Sequence, residues 1–198
     1  KIITKLGTKI SESDKVEIDK KILEDKPKLI YYILNKPPKY ITANSPTSTE
    51  KNIVIDLLPK KPRIFPVGRL DKMTTGLLIL TNDGNLSYKL THPKFECEKE
   101  YEVQVSDILT NERIRKIEAG MRLNGKKTKT TNIQILNKKK ARIILREGKN
   151  RQIRKIFGKV GCEVISLKRI RVKDLMLGDL PVGEWRELNK KEIQTLLE

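Results

Sequence analysis

The segment at residues 68–84, GRLDKMTTGLLILTNDG, places a carboxylate where it could act as a nucleophile. Asp71 follows the basic Arg69 and precedes residues 77–80, an apolar stretch typical of a buried strand. The arginine would balance the charge of the carboxylate, and the strand would fix its position. An aspartate in this setting is also typical of a turn or a helix N-cap, with the two following threonines completing a capped loop. The segment by itself leaves both interpretations open.

Two further segments supply side chains that could act with Asp71 on a nucleotide. Tyr101, in the alternating segment KEYEVQV at 99–105, offers an aromatic plate with a hydroxyl group. The segment EGKNRQIRKIFGKVG, at 147–161, carries among its basic residues Lys149, Arg151, Arg154 and Lys155. Its two arginines are three residues apart and reach the same side of a helix, which suits contact with phosphate and charge balance at a carboxylate. Separately, such a tyrosine is also typical of a half-buried strand, and such a helix of a solvated face.

The charge of the chain favours a polyanionic partner. Its 198 residues include 43 Lys and Arg against 25 Asp and Glu, a formal net charge of +18 that is spread along the whole length. This balance is typical of nucleic-acid-binding proteins. A positive charge that serves only solubility, or a source organism whose proteins are rich in lysine, would give the same count. Because no apolar stretch approaches the roughly 20 residues that span a bilayer, we expect no membrane partner.

Residue types for metal or triad chemistry are scarce. The chain has two cysteines, Cys97 and Cys162, and a single histidine, His92. Neither a zinc cluster nor a Ser/His/Asp triad can be assembled from these, so we expect no metal. The cysteines are typical of reduced thiols, so we expect a cytoplasmic protein, or one of an organelle stroma or matrix if a targeting segment precedes Lys1. Nothing in the sequence requires more than a monomer.

Hydrophobic periodicity and turn residues divide the chain into short elements. Strands are predicted over residues 29–34, 77–81, 99–105, 131–136, 141–146 and 163–170. Helices are predicted over 52–59 with Asn52 as cap, over 85–93, over 111–119 with Thr110 as cap, and over 190–197. A basic helix is predicted within 147–161, with a buried face formed by Ile153, Ile156, Phe157 and Val160.

These elements predict an α+β fold. Strands outnumber helices and do not follow the regular order of a doubly wound parallel sheet. We therefore expect a mixed or mainly antiparallel sheet flanked by helices, with a catalytic cleft across the sheet. Residues 1–26 hold two short strands punctuated by Gly7 and the cluster at 11–14, which is too little to fold by itself. Residues 25–28 are typical of a linker to a main domain at 27–198.

In combination the motifs resemble a known family. GRLDKMTTGLLILTNDG, followed in order by KEYEVQV and EGKNRQIRKIFGKVG, resembles the pseudouridine synthases of ribosomal RNA in the RsuA/RluB group, from residue 29 to the C-terminus. The resemblance implies the pseudouridine synthase fold and an isomerisation without a cofactor. A target uridine would be flipped out, its N-glycosidic bond broken, and the uracil rotated and reattached through carbon 5. Residues 1–26 resemble the end of the small RNA-binding domain shared with ribosomal protein S-four.

The same resemblance implies roles for individual residues. By match to the GRLD motif, Asp71 would be the essential nucleophile or base, acting at the ribose or the uracil ring. Tyr101 would stack on the target base and assist proton transfer, and Arg154, in the QIR motif, would pair with Asp71 and hold its orientation. Arg69 would support the loop or contact the backbone of the flipped nucleotide. The further RNA contacts that we expect are Lys36, Lys39, Lys149, Asn150, Arg151, Gln152 and Lys155.

The expected substrate is ribosomal RNA or a pre-ribosomal particle, and the loop LNKPPKYIT favours the large subunit. Two other interpretations remain. A non-catalytic RNA-binding or ribosome-assembly protein would use the same basic face, although binding by itself does not require a carboxylate that repels phosphate. A basic nuclease or DNA-binding module would need a carboxylate cluster for metal-assisted hydrolysis or a helix-turn-helix, and neither is evident.

Overall fold

Short strands and helices make up the chain in the computed structural model, which describes residues 2–4, 8, 11, 14–22, 28–129 and 131–198. In this part of the chain the strands are β1 Glu17–Ile18, β2 Lys21–Ile22, β3 Tyr31–Lys36, β4 Phe65–Pro66, β5 Thr75–Thr81, β6 Lys99–Val105, β7 Arg122–Leu123, β8 Lys126–Lys127, β9 Asn132–Asn137, β10 Lys140–Leu145, β11 Val164–Val172, β12 Leu175–Met176 and β13 Trp185–Glu187. The α-helices are α1 Gly84–Thr91, α2 Asn111–Glu118, α3 Gln152–Lys159 and α4 Lys190–Leu197.

Nine of these strands form one mixed sheet. Its main path runs β13-β3-β5-β11-β6-β10-β9, with β4 paired to β5 and β12 to β11. Strands β5 and β11 are parallel, with Lys168 opposite Thr75, whereas the other neighbours on this path are antiparallel. Residues of α1, α2, α3 and α4 are buried in the clusters that cover this sheet. The predicted α+β class with a mixed, mainly antiparallel sheet is therefore confirmed.

The central strands are buried on both faces. Alternate residues of β3 and β5, such as Ile33 and Leu77, pack in a cluster with α1 and α4. The residues between them, such as Leu34 and Leu78, pack on the other face against the segment that leads to the GRLD motif. Continuous apolar runs are expected of strands covered on both sides. A third cluster holds β6, β10 and β11 together with α2 and α3.

Most predicted elements are present with modest shifts. The bounds predicted for β6 and α4 are those observed, and Thr110 caps α2 as predicted, by accepting a hydrogen bond from the Arg113 amide. The punctuating Gly7 and residues 25–27 of the predicted linker lie outside the described residues. The strands that the periodicity missed, β4, β7, β8, β12 and β13, have two or three residues each, which is too short to show a period.

Two helix predictions need correction. Residues 52–59 contain a 3-10 turn, Val54–Leu57, which follows Ile53 and has no side-chain cap from Asn52. Ile53 instead forms a bridge with Ile41, so the chain before the turn is extended. The basic helix α3 begins only at Gln152, because the preceding residue, Arg151, has a left-handed backbone with φ of 50°. Residues 147–151 are therefore a loop that leads into the helix.

Gly76 sets the contact between the two parallel strands. Its φ is +100°, and a β-carbon on it would lie 2.2 Å from the carbonyl oxygen of Arg169 in β11. We expect Gly76→Ala to lower the free energy of unfolding by roughly 3 kcal/mol or more, because the methyl group would add both backbone strain and a clash with main chain. Urea denaturation followed by circular dichroism measures the change.

The matched control is Gly84→Ala, at the first residue of α1. No heavy atom lies within 4 Å of its β-carbon position, so we expect an unchanged or slightly raised stability, as for alanine in a helix. Equal effects of the two substitutions would contradict the importance of the close approach at Gly76.

Candidate active site

An open cleft lies at the start of β5, beside β11 and β6. It contains about 480 Å³ of empty space, with the open solvent at its mouth included. Its walls come from residues 69–74, from Tyr101 of β6, from residues 145–154 and from Leu167 of β11. The fold thus brings together Asp71, Tyr101 and Arg154, which three separate motifs supply.

Hydrogen bonds hold the loop that carries Asp71. The Thr74 amide donates to the carbonyl oxygen of Asp71 at 3.0 Å, which closes a tight turn. The Thr42 hydroxyl donates to the Leu70 carbonyl at 2.9 Å and accepts from the Leu70 amide at 3.2 Å. The Lys39 amide donates to the Lys72 carbonyl at 2.9 Å. The half-buried Asp71 therefore sits on backbone that is bound on both sides.

Lys36 is the strongest tie on this loop. Its side chain is fully buried, and its ammonium donates to the carbonyl oxygens of Pro37, Lys72 and Thr74 at 2.9, 3.1 and 3.0 Å. Burial lowers the pKa of Lys36 to about 8, and the negative charge of Asp71 acts against that shift. The predicted phosphate contact by Lys36 is wrong, because the three donors of the ammonium are already used inside the protein.

Arg154 lies in the cleft with Asp71 but has a different partner from the predicted one. Its Nη1 donates to the carbonyl oxygen of Val164 at 2.8 Å. Among the ion pairs within 4 Å in the described part of the chain, none joins Arg154 to Asp71. The predicted ion pair is therefore not formed here, because the Val164 carbonyl at the start of β11 takes the guanidinium.

Tyr101 joins two parts of the hydrophobic core. Its half-buried ring packs against the cluster of β6, β10 and β11 and also against the cluster on β3 and β5. In the sheet it lies opposite Ile143 on one side and Arg169 on the other. The ring is held at the seam of the two clusters, and it lines the cleft there.

Glu147 is a second carboxylate in the cleft, which the sequence analysis missed. It accepts a hydrogen bond at 2.6 Å from Nε2 of Gln152 and pairs with Nζ of Lys149 at 3.0 Å. The Oε1 of Gln152 accepts from the Lys149 amide at 3.0 Å. Gln152 is buried in the cleft lining, and both ends of its amide close the loop before α3, so its contact with RNA stays a prediction. The signal in the sequence was a glutamate five residues before a glutamine in a basic loop.

The remaining predicted RNA-binding residues lie at or near the protein surface. Lys39, Arg69, Asn150 and Arg151 are exposed, and Lys149 and Lys155 are partly buried. Lys155 makes a long hydrogen bond, 3.4 Å, to the side chain of Asn150, while Lys149 also donates to the Lys127 carbonyl at 3.1 Å. Of these residues, Arg69, Lys149 and Arg151 line the cleft, whereas Lys39 lines a separate hollow.

Thr74 leaves an unused polar group in the cleft wall. Its side chain is 2% exposed, and its Oγ1 has no hydrogen-bond partner within the residues that the structure describes.

In the described part of the chain no group of three or more His, Cys, Asp or Glu side chains could hold a metal ion. No helix found there is both long enough and apolar enough to cross a membrane.

The fold and the cleft define an RNA-modifying enzyme, and the chain belongs to the RNA pseudouridylate synthase family, whose model matches residues 30–159. It is 41% identical to ribosomal large subunit pseudouridine synthase B of Bacillus subtilis, over 99% of this chain and 82% of that relative. It is 35% identical to dual-specificity RNA pseudouridine synthase RluF of Escherichia coli K12, over 95% of this chain and 65% of that protein.

A crystal structure of a pseudouridylate synthase superposes with a TM-score of 0.81 at 29% identity, over 96% of this chain and 83% of that one. The expected resemblance, the pseudouridine synthase fold and the isomerase activity are thereby confirmed.

Removing the Lys36 ammonium should destabilise the loop that carries Asp71. We expect Lys36→Met, which keeps the length of the side chain, to lower the free energy of unfolding by at least about 2 kcal/mol, because three buried carbonyl oxygens lose their donor. Urea denaturation measures the loss. The control Lys39→Met changes an exposed lysine of the same loop and should stay within about 0.5 kcal/mol of the wild type.

The contribution of Lys36 should also depend on pH. In the folded protein its ammonium loses a proton near pH 8, whereas the unfolded chain keeps that proton until about pH 10.5. Between these values the unfolded state binds more protons, so stability rises with pH. The stability difference between the wild type and Lys36→Met should widen from pH 7 to about pH 10, with a slope of no more than about 1.4 kcal/mol per pH unit. A narrowing difference would contradict this assignment.

Proposed function

We propose that this enzyme converts uridine to pseudouridine in ribosomal RNA and that large-subunit RNA is its substrate. Support comes from the relative in Bacillus subtilis, named for the large ribosomal subunit, which aligns with 99% of the chain. The net charge of +18 suits a large polyanion. The work of the enzyme then takes place where ribosomes are assembled, which for a bacterial-type synthase is the cytoplasm, and a monomer is sufficient for it.

Asp71 is the group to which we assign the chemistry. The isomerisation breaks the bond between N1 and C1′ and forms one between C5 and C1′, while C5 loses a proton and N1 gains one. A fixed carboxylate can act at the ribose or at the uracil ring in such a sequence. The observation that carries the proposal is the position of Asp71, in a rigid turn on the wall of a cleft it shares with Tyr101 and Arg154.

The apolar part of the cleft would hold the uracil. Tyr101 offers a ring for stacking and a hydroxyl for proton transfer, and Leu145, Ile153 and Leu167 complete a wall that excludes water from a reactive intermediate. Flipping a base out of RNA costs a few kcal/mol, which stacking on an aromatic side chain offsets.

Arg154 and Arg69 would meet the charges of the complex. With RNA in the cleft and water displaced, a guanidinium gains more from a carboxylate than from a neutral carbonyl. We therefore assign Arg154 to the charge of Asp71 in the bound state, in exchange for its contact with Val164. The exposed Arg69, two residues before Asp71, is assigned to the backbone of the flipped nucleotide.

Residues 1–26 are assigned to an RNA-binding appendage, as the end of an S-four-like domain, and residues 27–198 to the catalytic domain. Strands β1 and β2 form a separate two-stranded sheet and have no partner strand in the main sheet within the described residues. This arrangement supports a division of labour in which the appendage adds affinity for RNA and the main domain carries the chemistry.

The experiment that tests the proposal is release of tritium from ribosomal RNA labelled at carbon 5 of uridine. The wild type should release tritium from large-subunit RNA, and Asp71→Asn should be slower by at least about 10³-fold, because the amide is not a nucleophile or base. Binding of RNA by Asp71→Asn should remain within a few-fold of the wild type. Asp179→Asn, the same change at an exposed residue outside the cleft, should release tritium at the rate of the wild type.

Small-subunit RNA labelled in the same way tests the choice of substrate. Release from large-subunit RNA and not from small-subunit RNA supports the proposal, and the reverse result contradicts that part of it. Full activity of Asp71→Asn would contradict the assigned chemistry. No release by the wild type from either RNA or from pre-ribosomal particles would favour the non-catalytic RNA-binding interpretation.

A further inference from the structure

A second depression adjoins the cleft on the far side of two arginines. Arg151 and Arg154 line both hollows, and the second one continues over Gly158, Gly161 and Glu163. We call it the arginine depression. The two arginines thus line both the space assigned to the uracil and a second, open space on the protein surface.

The charges around the arginine depression favour an anion. The Arg151 side chain is exposed and forms no hydrogen bond within the part of the chain that the structure describes. Arg154 uses one of its donors on the Val164 carbonyl and has others left. The guanidinium of Arg113 lies 3.6 Å from the β-carbon position of Gly161. Glu163 is the acidic residue of the lining, and Asp107 lies close enough to act with Arg113 on the lining residue Cys162.

The floor of the arginine depression lacks side chains at two positions. Gly158 and Gly161 are both exposed, and no heavy atom lies within 4 Å of the β-carbon position of Gly158. Glycine allows the close approach of another backbone. A guanidinium presents several donors in one plane, which suits the oxygens of a phosphate group. The chemistry and the shape therefore suit a phosphodiester in a nucleic-acid strand.

We propose that the arginine depression seats the phosphodiester of the nucleotide next to the target uridine, an inference that rests on the proposed function. A uridine held in the cleft is joined by phosphates to neighbours on both sides, and a strand that leaves the cleft past Arg151 and Arg154 enters this depression. The two arginines would then contact the flipped nucleotide on one side and the phosphodiester of the adjoining strand on the other. Such contacts position the RNA and carry no sequence information.

The test places a negative charge in the arginine depression without disturbing the fold. Gly158 lies in α3 with open space around it, so a larger residue there fits and favours the helix. In filter binding to large-subunit ribosomal RNA at low salt, Gly158→Glu should weaken affinity by about 10-fold relative to Gly158→Gln, which has the same size and no charge. The gap should shrink as salt is raised.

A second control separates this site from the general charge of the protein. Gly84 is also an exposed glycine with open space around it, in α1 at the opposite end of β5 from Asp71. Gly84→Glu adds the same charge there and should leave the affinity within about 2-fold of the wild type. Glu163→Gln removes the acidic residue of the arginine depression and should tighten binding.

Equal binding by Gly158→Glu and Gly158→Gln, or an equal loss in Gly84→Glu, would overturn the inference. Because the readout is binding, a failure here is distinct from a failure of the proposed function, which is measured by tritium release from the wild type.

Discussion

The buried ammonium of Lys36 is the interaction on which the candidate site depends. It joins the end of β3 to the loop before β5 through the carbonyl oxygens of Pro37, Lys72 and Thr74. A cation in an apolar interior is costly unless its donors are satisfied, and here all three are. The same ammonium gives Asp71 a nearby positive charge that water cannot replace. One side chain on a neighbouring strand thus contributes both to the position of the Asp71 loop and to the positive charge near the carboxylate.

The sheet brings the segments that carry the cleft residues close together, although they are distant in the sequence. Strand β5, which follows Asp71, lies beside β11, which follows the loop and helix of Arg154. Gly76 lets the two strands approach to a distance that a β-carbon would prevent. Tyr101 enters from β6, the next strand of the sheet. Four segments meet because a parallel pair lies in a mainly antiparallel sheet, and the cleft follows from that arrangement.

The sequence predicted the class of fold, most long elements and the motifs that meet in the cleft. Strong periodicity made this possible, since KEYEVQV and the apolar run after Asp71 leave little choice of structure. The sequence did not predict the direction in which individual polar side chains point. Lys36 and Gln152 are of residue types that usually lie at the surface. Their burial depends on carbonyl and carboxylate partners that are distant in the sequence or lie in an irregular loop. The partner of Arg154 likewise depends on where β11 starts, which no local pattern determines.

The two halves of the sheet that meet at Tyr101 must both fold before the candidate site is complete. Asp71 belongs to a half of the sheet built from residues 31–81, whereas Arg154 belongs to a half built mainly from residues 99–172. The cluster on β6, β10 and β11 is separate from the cluster of Leu34 and Leu78, whereas a third cluster joins Val172 of β11 to the other face of β3 and β5. The halves also meet through pairing between residues more than 90 apart in the chain. Such long-range pairing is slow to form, because the entropy of loop closure is lost before the contacts are gained. A chain in which one half is folded therefore has either the carboxylate or the arginines in place, and a complete site appears only once both halves have joined.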